Sequence, residues 1–401
     1  MKLYNWKLMV MAGALMASLS GCAGAPAQAA GEMQPVQETE AAAVKEEGKN
    51  VSKILWEFAG DLAPQKGMDV NKGTAGMLSG LSNGYVVVGG GANFPEEGPA
   101  LGGAKRTYPD IYVLKQEDGR LAAVNHTVMD YEIGYGASIT SDEGIYYVGG
   151  STAEGKGNKV LLVNADASGN VTVETVGELP FTFSDGFAAL KDDMLYVGAG
   201  KMDGKATNKV FSLNLKTKEV TELAPVPNEE TRTQCVSQLL GDFIYVFSGG
   251  DKVAYTDGYR YSIKDNQWEQ VADVQVGEEK ISLLGAGSVK LNDHSMMVIG
   301  GFNKDVYDHA VAQMAELKDD ALLEFKLGYF GADPSELLWN RKVLIYDADT
   351  NQWTSIGEVP FDAPCGEALV LDGDRIYSIN GEIKPGTRTK HMYSGILQMA
   401  D

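Results

Sequence analysis

The 401-residue chain is 44% hydrophobic and 22% charged, with 48 glycines and a formal net charge of −21. That length and apolar fraction allow a large core, and the acidic balance argues against nucleic acid, whose binding needs a basic face. An anionic small ligand would be repelled by the general field, so it would need its own local arginines.

The chain begins with a targeting pattern. Lys2 and Lys7 precede an apolar run, Leu8 to Leu19, that is too short for a spanning helix and fits the h-region of an export signal. The run ends in Leu19-Ser20-Gly21-Cys22, which resembles a bacterial lipobox at all four positions. The alternative is an ordinary cut near Ala27-Gln28-Ala29. The lipobox is preferred, which makes residues 1–22 a lipoprotein signal and Cys22 a lipid anchor in the cell envelope. Residues 23–51, rich in Ala, Glu, Gln and Pro without apolar periodicity, read as a disordered tether.

From residue 52 onward one phrase recurs: a β-branched and aromatic run closed by small residues. The copies are GYVVVGGG (84–91), GIYYVGG (144–150), DMLYVGAG (193–200), DFIYVFSGG (242–250), HSMMVIGG (294–301) and DRIYSINGE (374–382). A period of roughly 50 residues is that of kelch repeats, each a four-stranded propeller blade. A second run follows most copies and ends in a turn and a tryptophan, as at Trp268 and Trp353. The reading is all-β: a six-bladed kelch-type β-propeller over residues 52–401, with the glycines ending the second strand of each blade. The last blade lacks a fourth strand at its C-terminal end, and KILWEFAGDLAP (53–64) is expected to close the ring there.

Residues 303–339 interrupt the fifth blade. Val306, Ala310, Val311, Met314, Leu317, Ala321, Leu322 and Phe325 fall at helical spacing. They predict one helix of about five turns and an irregular return through Asp333-Pro334 to Trp339. Cys235 and Cys365 each sit in an apolar strand of a different repeat, so two buried thiols are expected rather than a disulfide. His126, His294, His309 and His391 lie far apart without Cys/His ligand spacing, so neither a metal site nor a cofactor is expected.

Up-and-down blades put their second-to-third loops and blade-to-blade connections on one face. That face collects Asn93 and Arg106, the insertion from Asn303, and Glu382, Lys384 and Arg388. It also receives Tyr135, Asp185, and Arg232 with Gln234 at the starts of successive blades. Three arginines on one face of an acidic chain fit an anionic ligand, since arginine grips carboxylates with two parallel hydrogen bonds. For Arg232 a structural pair with a neighbouring loop fits equally well. Glu382 suits proton transfer: burial would raise its pKa and a nearby arginine would oppose the rise. Pro385-Gly386 would stiffen the loop that carries both groups.

The run Asn380-Gly381-Glu382, Lys384-Pro385-Gly386, Arg388-Thr389 matches the pattern Asn-Gly-Glu-x-Lys-Pro-Gly-x-Arg-Thr. That pattern belongs to the kelch-type sialic acid mutarotases, the N-acetylneuraminate epimerases of bacterial envelopes. The chain resembles this family over nearly all of 53–401, including the helical insertion after Gly300-Gly301-Phe302-Asn303 and the Arg232-x-Gln234 blade start. Its blade order resembles a cyclic permutation, because the blade similar to residues 185–215 comes first in the family and third here. The resemblance implies Glu382 as proton acceptor, Arg388 as ligand of the substrate carboxylate, and sialic acid as substrate without metal or cofactor. It also implies that one carboxylate, through a water, could serve both the anomeric hydroxyl and the ring oxygen in turn. The competing reading is a non-catalytic surface propeller that binds a glycan or protein partner. A copper oxidase of the galactose oxidase type shares the propeller, but its histidine and cysteine–tyrosine ligands cannot be assembled from this chain.

Overall fold

Six four-stranded antiparallel sheets account for most of the strands among the described residues. The structure is a computed structural model and describes residues 50–152, 157–227 and 230–400. The expected export signal, Cys22 and all but the end of the expected tether lie outside them. The first sheet is built from Ala75–Ser82, Tyr85–Asn93, Arg106–Glu117 and Arg120–Ile133, paired in that order. The next four sheets repeat the plan in sequence. Their first strands are Ala137–Ser141, Phe187–Lys191, Val236–Leu240 and Gly287–Asn292.

The sixth sheet joins the two ends of the described chain. Ala368–Asp372, Arg375–Ile379 and His391–Met399 pair in turn, and Val51–Asp61 adds itself antiparallel to His391–Met399 with Trp56 opposite Gly395. Small antiparallel sheets repeated in this way are consistent with a β-propeller.

Period-two alternation explains why the second strands read as continuous apolar runs. Val86 and Val88 pack into a cluster shared with Val370 and Tyr377 of the sixth sheet, while Val87 packs with Ile145 and Tyr147 of the second. Met296 and Val298 face the fourth sheet's Tyr245 and Phe247, whereas Met297 and Ile299 face Leu369 and Ile376. Each sheet is thus covered on both faces by its neighbours, and each fully buried Val, Leu or Ile contributes about 1.5–3 kcal/mol. The glycines that end these strands do so for space and conformation. Gly300 has φ +85°, and a Cβ there would lie 2.0 Å from the Pro364 carbonyl oxygen.

The first strands begin at a closed cycle of backbone hydrogen bonds. Each of Gly76, Tyr135, Asp185, Gln234, Gly285 and Gly366 donates its N–H to the carbonyl of the one before, and Gly76 donates to Gly366, all at 2.7–3.0 Å. All six have positive φ, between +50° and +77°.

The insertion differs from its sequence reading. In place of one helix of about five turns there are two, α1 (Lys304–Glu316) and α2 (Asp319–Gly331). Leu317 leaves the helix with ψ 152°, and Lys318 and Asp319 turn the chain so that α2 folds back against α1. The His309 and Phe325 rings meet at 6.0 Å. The apolar spacing runs through the break, so the sequence pattern does not mark it. Leu337, Trp339, Ala363 and Cys365 then form a small core under the insertion. Cys235 and Cys365 are both free thiols; Cys365 is buried and Cys235 partly so.

Candidate functional site

The hairpin Glu382–Lys384 and Thr387–Arg388 places residues 382 and 388 directly opposite each other. Pro385 and Gly386 make its turn, with Gly386 at φ +79°, where glycine carries no Cβ penalty. The Gly386 N–H donates to Glu382 Oε1 at 2.6 Å, and Arg388 Nη2 lies 3.3 Å from Glu382 Oε2. Both carboxylate oxygens are therefore held. The hairpin is fixed in turn by two backbone hydrogen bonds of 2.8 Å between Cys365 and Glu382.

Arg388 is buried. Its guanidinium stacks over the Phe94 ring at 5.0 Å, and its Nη2 also reaches the Tyr135 hydroxyl at 3.5 Å. Its Nε and Nη1 are buried with no hydrogen-bond partner among the described residues. A buried donor left unpaired on a charged group costs its full desolvation penalty, which makes this guanidinium an acceptor-seeking site. Burial raises the Glu382 pKa, and it outweighs the opposing pull of Arg388, the Gly386 N–H and Lys105.

These groups line a cavity of 330 Å³ together with Phe94, Lys105, Tyr135, Gln234, Tyr329 and Phe330. A larger cavity of 890 Å³ lies beside the insertion. Its cations Lys280, Lys304, Arg341 and Lys342 each already face a carboxylate. The smaller cavity alone of these two has a buried arginine with unused donors.

Of the residues singled out in the sequence, Glu382, Arg388 and Gln234 meet at this cavity, as does Tyr135. The others are placed differently. Arg232 is fully buried, bound bidentately by Asp257 at 2.9 and 2.8 Å and sandwiched near Tyr255 and Tyr259. Both of its terminal nitrogens are spent on Asp257 and the Ser248 carbonyl and only Nε is left without a partner among the described residues, so it is a structural arginine. Arg106 is exposed, 3.9 Å from Glu132 and over the Tyr108 ring. Asn93 is buried, donating to the Gly73 carbonyl and accepting from the Tyr108 hydroxyl. Asn303 caps α1 by accepting from the Val306 N–H. Lys384 donates to the Ala332 carbonyl and so ties the hairpin to the end of α2. Asp185 accepts from Ser184 and Lys201 outside the cavity lining.

Sequence reasoning did not single out Phe94, Lys105, Tyr329 or Phe330. Phe94 lies three residues beyond the glycines that close the second strand, in a stretch without apolar periodicity, so no sequence pattern marks it. Tyr329 and Phe330 lie beyond the stretch whose periodicity was legible.

The model of the N-acetylneuraminate epimerase family matches residues 176–401. The chain belongs to this family. Among curated relatives, the N-acetylneuraminate epimerase of Yersinia pestis (strain Pestoides F) is 31% identical over 243 residues, covering 57% of this chain and 59% of that protein. That of Vibrio cholerae is 30% identical over 224 residues, 53% of this chain and 56% of its own. The chain thus spans about three-fifths of the length of the curated relatives it matches. A solved structure described as "Structure of YjhT" superposes with a TM-score of 0.50 at 27% identity, over 56% of this chain and 66% of that one. Within the family match fall Glu382, Arg388, Gln234 and the insertion, whereas Phe94, Lys105 and Tyr135 precede it.

Proposed function

We propose that this protein interconverts the α and β anomers of N-acetylneuraminic acid, with Glu382 as proton acceptor and Arg388 as ligand of the substrate carboxylate. One observation carries this reading: a buried arginine with two unpartnered nitrogens, 3.3 Å from a glutamate whose pKa burial has raised. The first supplies unpaired charged donors for the carboxylate of an anionic sugar acid. The second is a carboxylate whose raised pKa makes it a stronger base toward the anomeric proton. Anomers of a cyclic keto acid exchange through the open-chain ketone, so the carboxylate must take the anomeric proton while the carboxylate of the sugar is held still. The names of the family and of its curated relatives support the same substrate.

The fold that carries the site is read as a six-bladed kelch propeller closed by the strand Val51–Asp61. Its support is the six-membered hydrogen-bond cycle, the core shared by the first and sixth sheets, and the pairing of Val51–Asp61 with His391–Met399. A cyclically permuted order is supported by a family match that starts at residue 176, within the last strand of the second sheet, so that the first sheet and most of the second precede it. Export and lipid attachment at Cys22 rest on the sequence Leu19-Ser20-Gly21-Cys22.

Proton NMR on freshly released α-N-acetylneuraminate tests the activity. The protein is expected to speed its conversion to the β anomer, and Glu382→Gln to abolish that while binding persists. Binding of the sugar acid with no acceleration over the spontaneous rate would leave a glycan-binding propeller instead.

A further inference from the structure

Ring opening of a cyclic keto acid needs two proton transfers, one from the anomeric hydroxyl and one to the ring oxygen. Glu382 is poorly placed to make both. Its two carboxylate oxygens are fixed by the Gly386 N–H and by Arg388, so it cannot swing from one oxygen of the sugar to the other.

Tyr135 lines the same cavity. Its hydroxyl oxygen accepts from Arg388 Nη2 at 3.5 Å. Arginine has donors only, so that contact leaves the phenol's own hydrogen unused. No acceptor for it occurs among the described residues. Lys105 Nζ stands 4.3 Å over the ring, so two cations, Lys105 and Arg388, face the phenol, against the carboxylates Glu382 and Asp185. Burial keeps the Tyr135 pKa raised, so at neutral pH the group holds its proton.

The backbone adds an independent sign. In the cycle that surrounds the first strands, three of the six positions are glycine, which adopts positive φ without cost. Tyr135 adopts φ +59° with a bulky side chain, a conformation that costs about 1–2 kcal/mol. Its cycle neighbour has given up its own side chain: a Cβ on Gly76 would lie 2.6 Å from the Tyr135 ring. Asp185 and Gln234 carry the same strain, so what is particular to Tyr135 is the glycine facing its ring, which leaves room for the phenol at the cavity.

We infer that Tyr135 is the general acid for the ring oxygen, the catalytic partner of Glu382; this rests on the mutarotase reading above. In opening, the Glu382 carboxylate takes the anomeric hydroxyl proton. The bond from the anomeric carbon to the ring oxygen breaks, its electron pair goes to that oxygen, and the oxygen takes the Tyr135 proton. The site then holds the open-chain ketone with a free hydroxyl, a neutral Glu382 and a tyrosinate between Lys105 and Arg388. After rotation exposes the other carbonyl face, the hydroxyl returns its proton to the tyrosinate and its oxygen attacks the carbonyl carbon. The carbonyl oxygen takes the proton from Glu382. Nothing is oxidised or reduced, and both groups end as they began.

Tyr135→Phe removes the hydroxyl alone. Anomer exchange by NMR is expected to fall about 100-fold or more, with calorimetric binding of N-acetylneuraminate retained. A rate within about threefold of the parent, on the same 100-fold scale, overturns the inference. 3-Fluorotyrosine at 135 preserves the shape and covers the case in which the phenylalanine variant does not fold. Its more acidic phenol is expected to move the alkaline limb of the pH–rate profile to lower pH, and an unmoved limb overturns the inference. If the parent protein itself fails to exchange anomers, the mutarotase reading falls and takes this one with it. An active parent with an active Tyr135→Phe variant removes this inference alone.

Discussion

The Arg388 guanidinium lies 3.3 Å from the Glu382 carboxylate, yet the glutamate's pKa is raised, because burial outweighs the ion pair. A base with a raised pKa must still be ionised to act, so the anomerisation rate is expected to climb as pH rises through that pKa. Arg388→Met removes the strongest opposing charge, and the acidic limb of the pH–rate profile should move to higher pH. Sugar-acid binding should weaken roughly 10- to 100-fold, the equivalent of about 1.5–3 kcal/mol for a charged hydrogen bond. A limb that stays in place in this variant would show that Glu382 is not the titrating base.

Arg232 sits on the same face, but its chemistry is spent internally on Asp257. Arg232→Met is expected to lower stability by about 3–5 kcal/mol, because it strands a partly buried carboxylate. The double variant Arg232→Met, Asp257→Leu should recover much of that loss. Thermal melts report both, and the KM of the single variant should match the parent. A raised KM with unchanged melting would return Arg232 to the site.

The contrast between these two arginines shows what the sequence carries. Strand ends were legible because glycine pairs close β-branched runs, and loop alternation was enough to put Tyr135, Asp185 and Gln234 on one face, where the hydrogen-bond cycle joins them. Arg388 and Glu382 were legible as a pair because a short hairpin fixes their separation. Arg232 was not, because its partner lies across the blade and sequence spacing does not show which carboxylate faces it. Phe94, Lys105 and Phe330 were hidden for a related reason. Their meeting depends on α2 folding back onto the turn Pro99–Leu101, a contact between segments more than 200 residues apart.

Phe330 tests that fold-back directly. It lines the cavity from α2, and its ring lies 3.5 Å from where a Cβ on Gly386 would be. Phe330→Ala leaves the sheets untouched and opens the cavity wall, so it is expected to raise KM several-fold and lower the melting temperature little. An unchanged KM would mean that the insertion packs on the sheets without contributing to the site.

Glu367 makes the last prediction, one of stability. Its side chain is buried and neither carboxyl oxygen has a well-formed hydrogen bond, so burial pushes its pKa up to about 8. A carboxyl whose pKa is raised in the folded state favours folding when protonated. Its contribution is complete below the ordinary pKa near 4.5, is lost as pH rises toward 8, and is gone above it. Each tenfold weakening of the acid corresponds to about 1.4 kcal/mol, so the loss amounts to several kcal/mol. Glu367→Gln keeps the shape without the charge. Its melting temperature should match the parent near pH 4.5, exceed it increasingly up to pH 8, and hold a constant lead beyond. The Glu382 pKa is raised as well, but that residue is present in both proteins, so the difference between the two curves isolates Glu367. Parallel curves across that range would show that Glu367 is ionised in the folded protein.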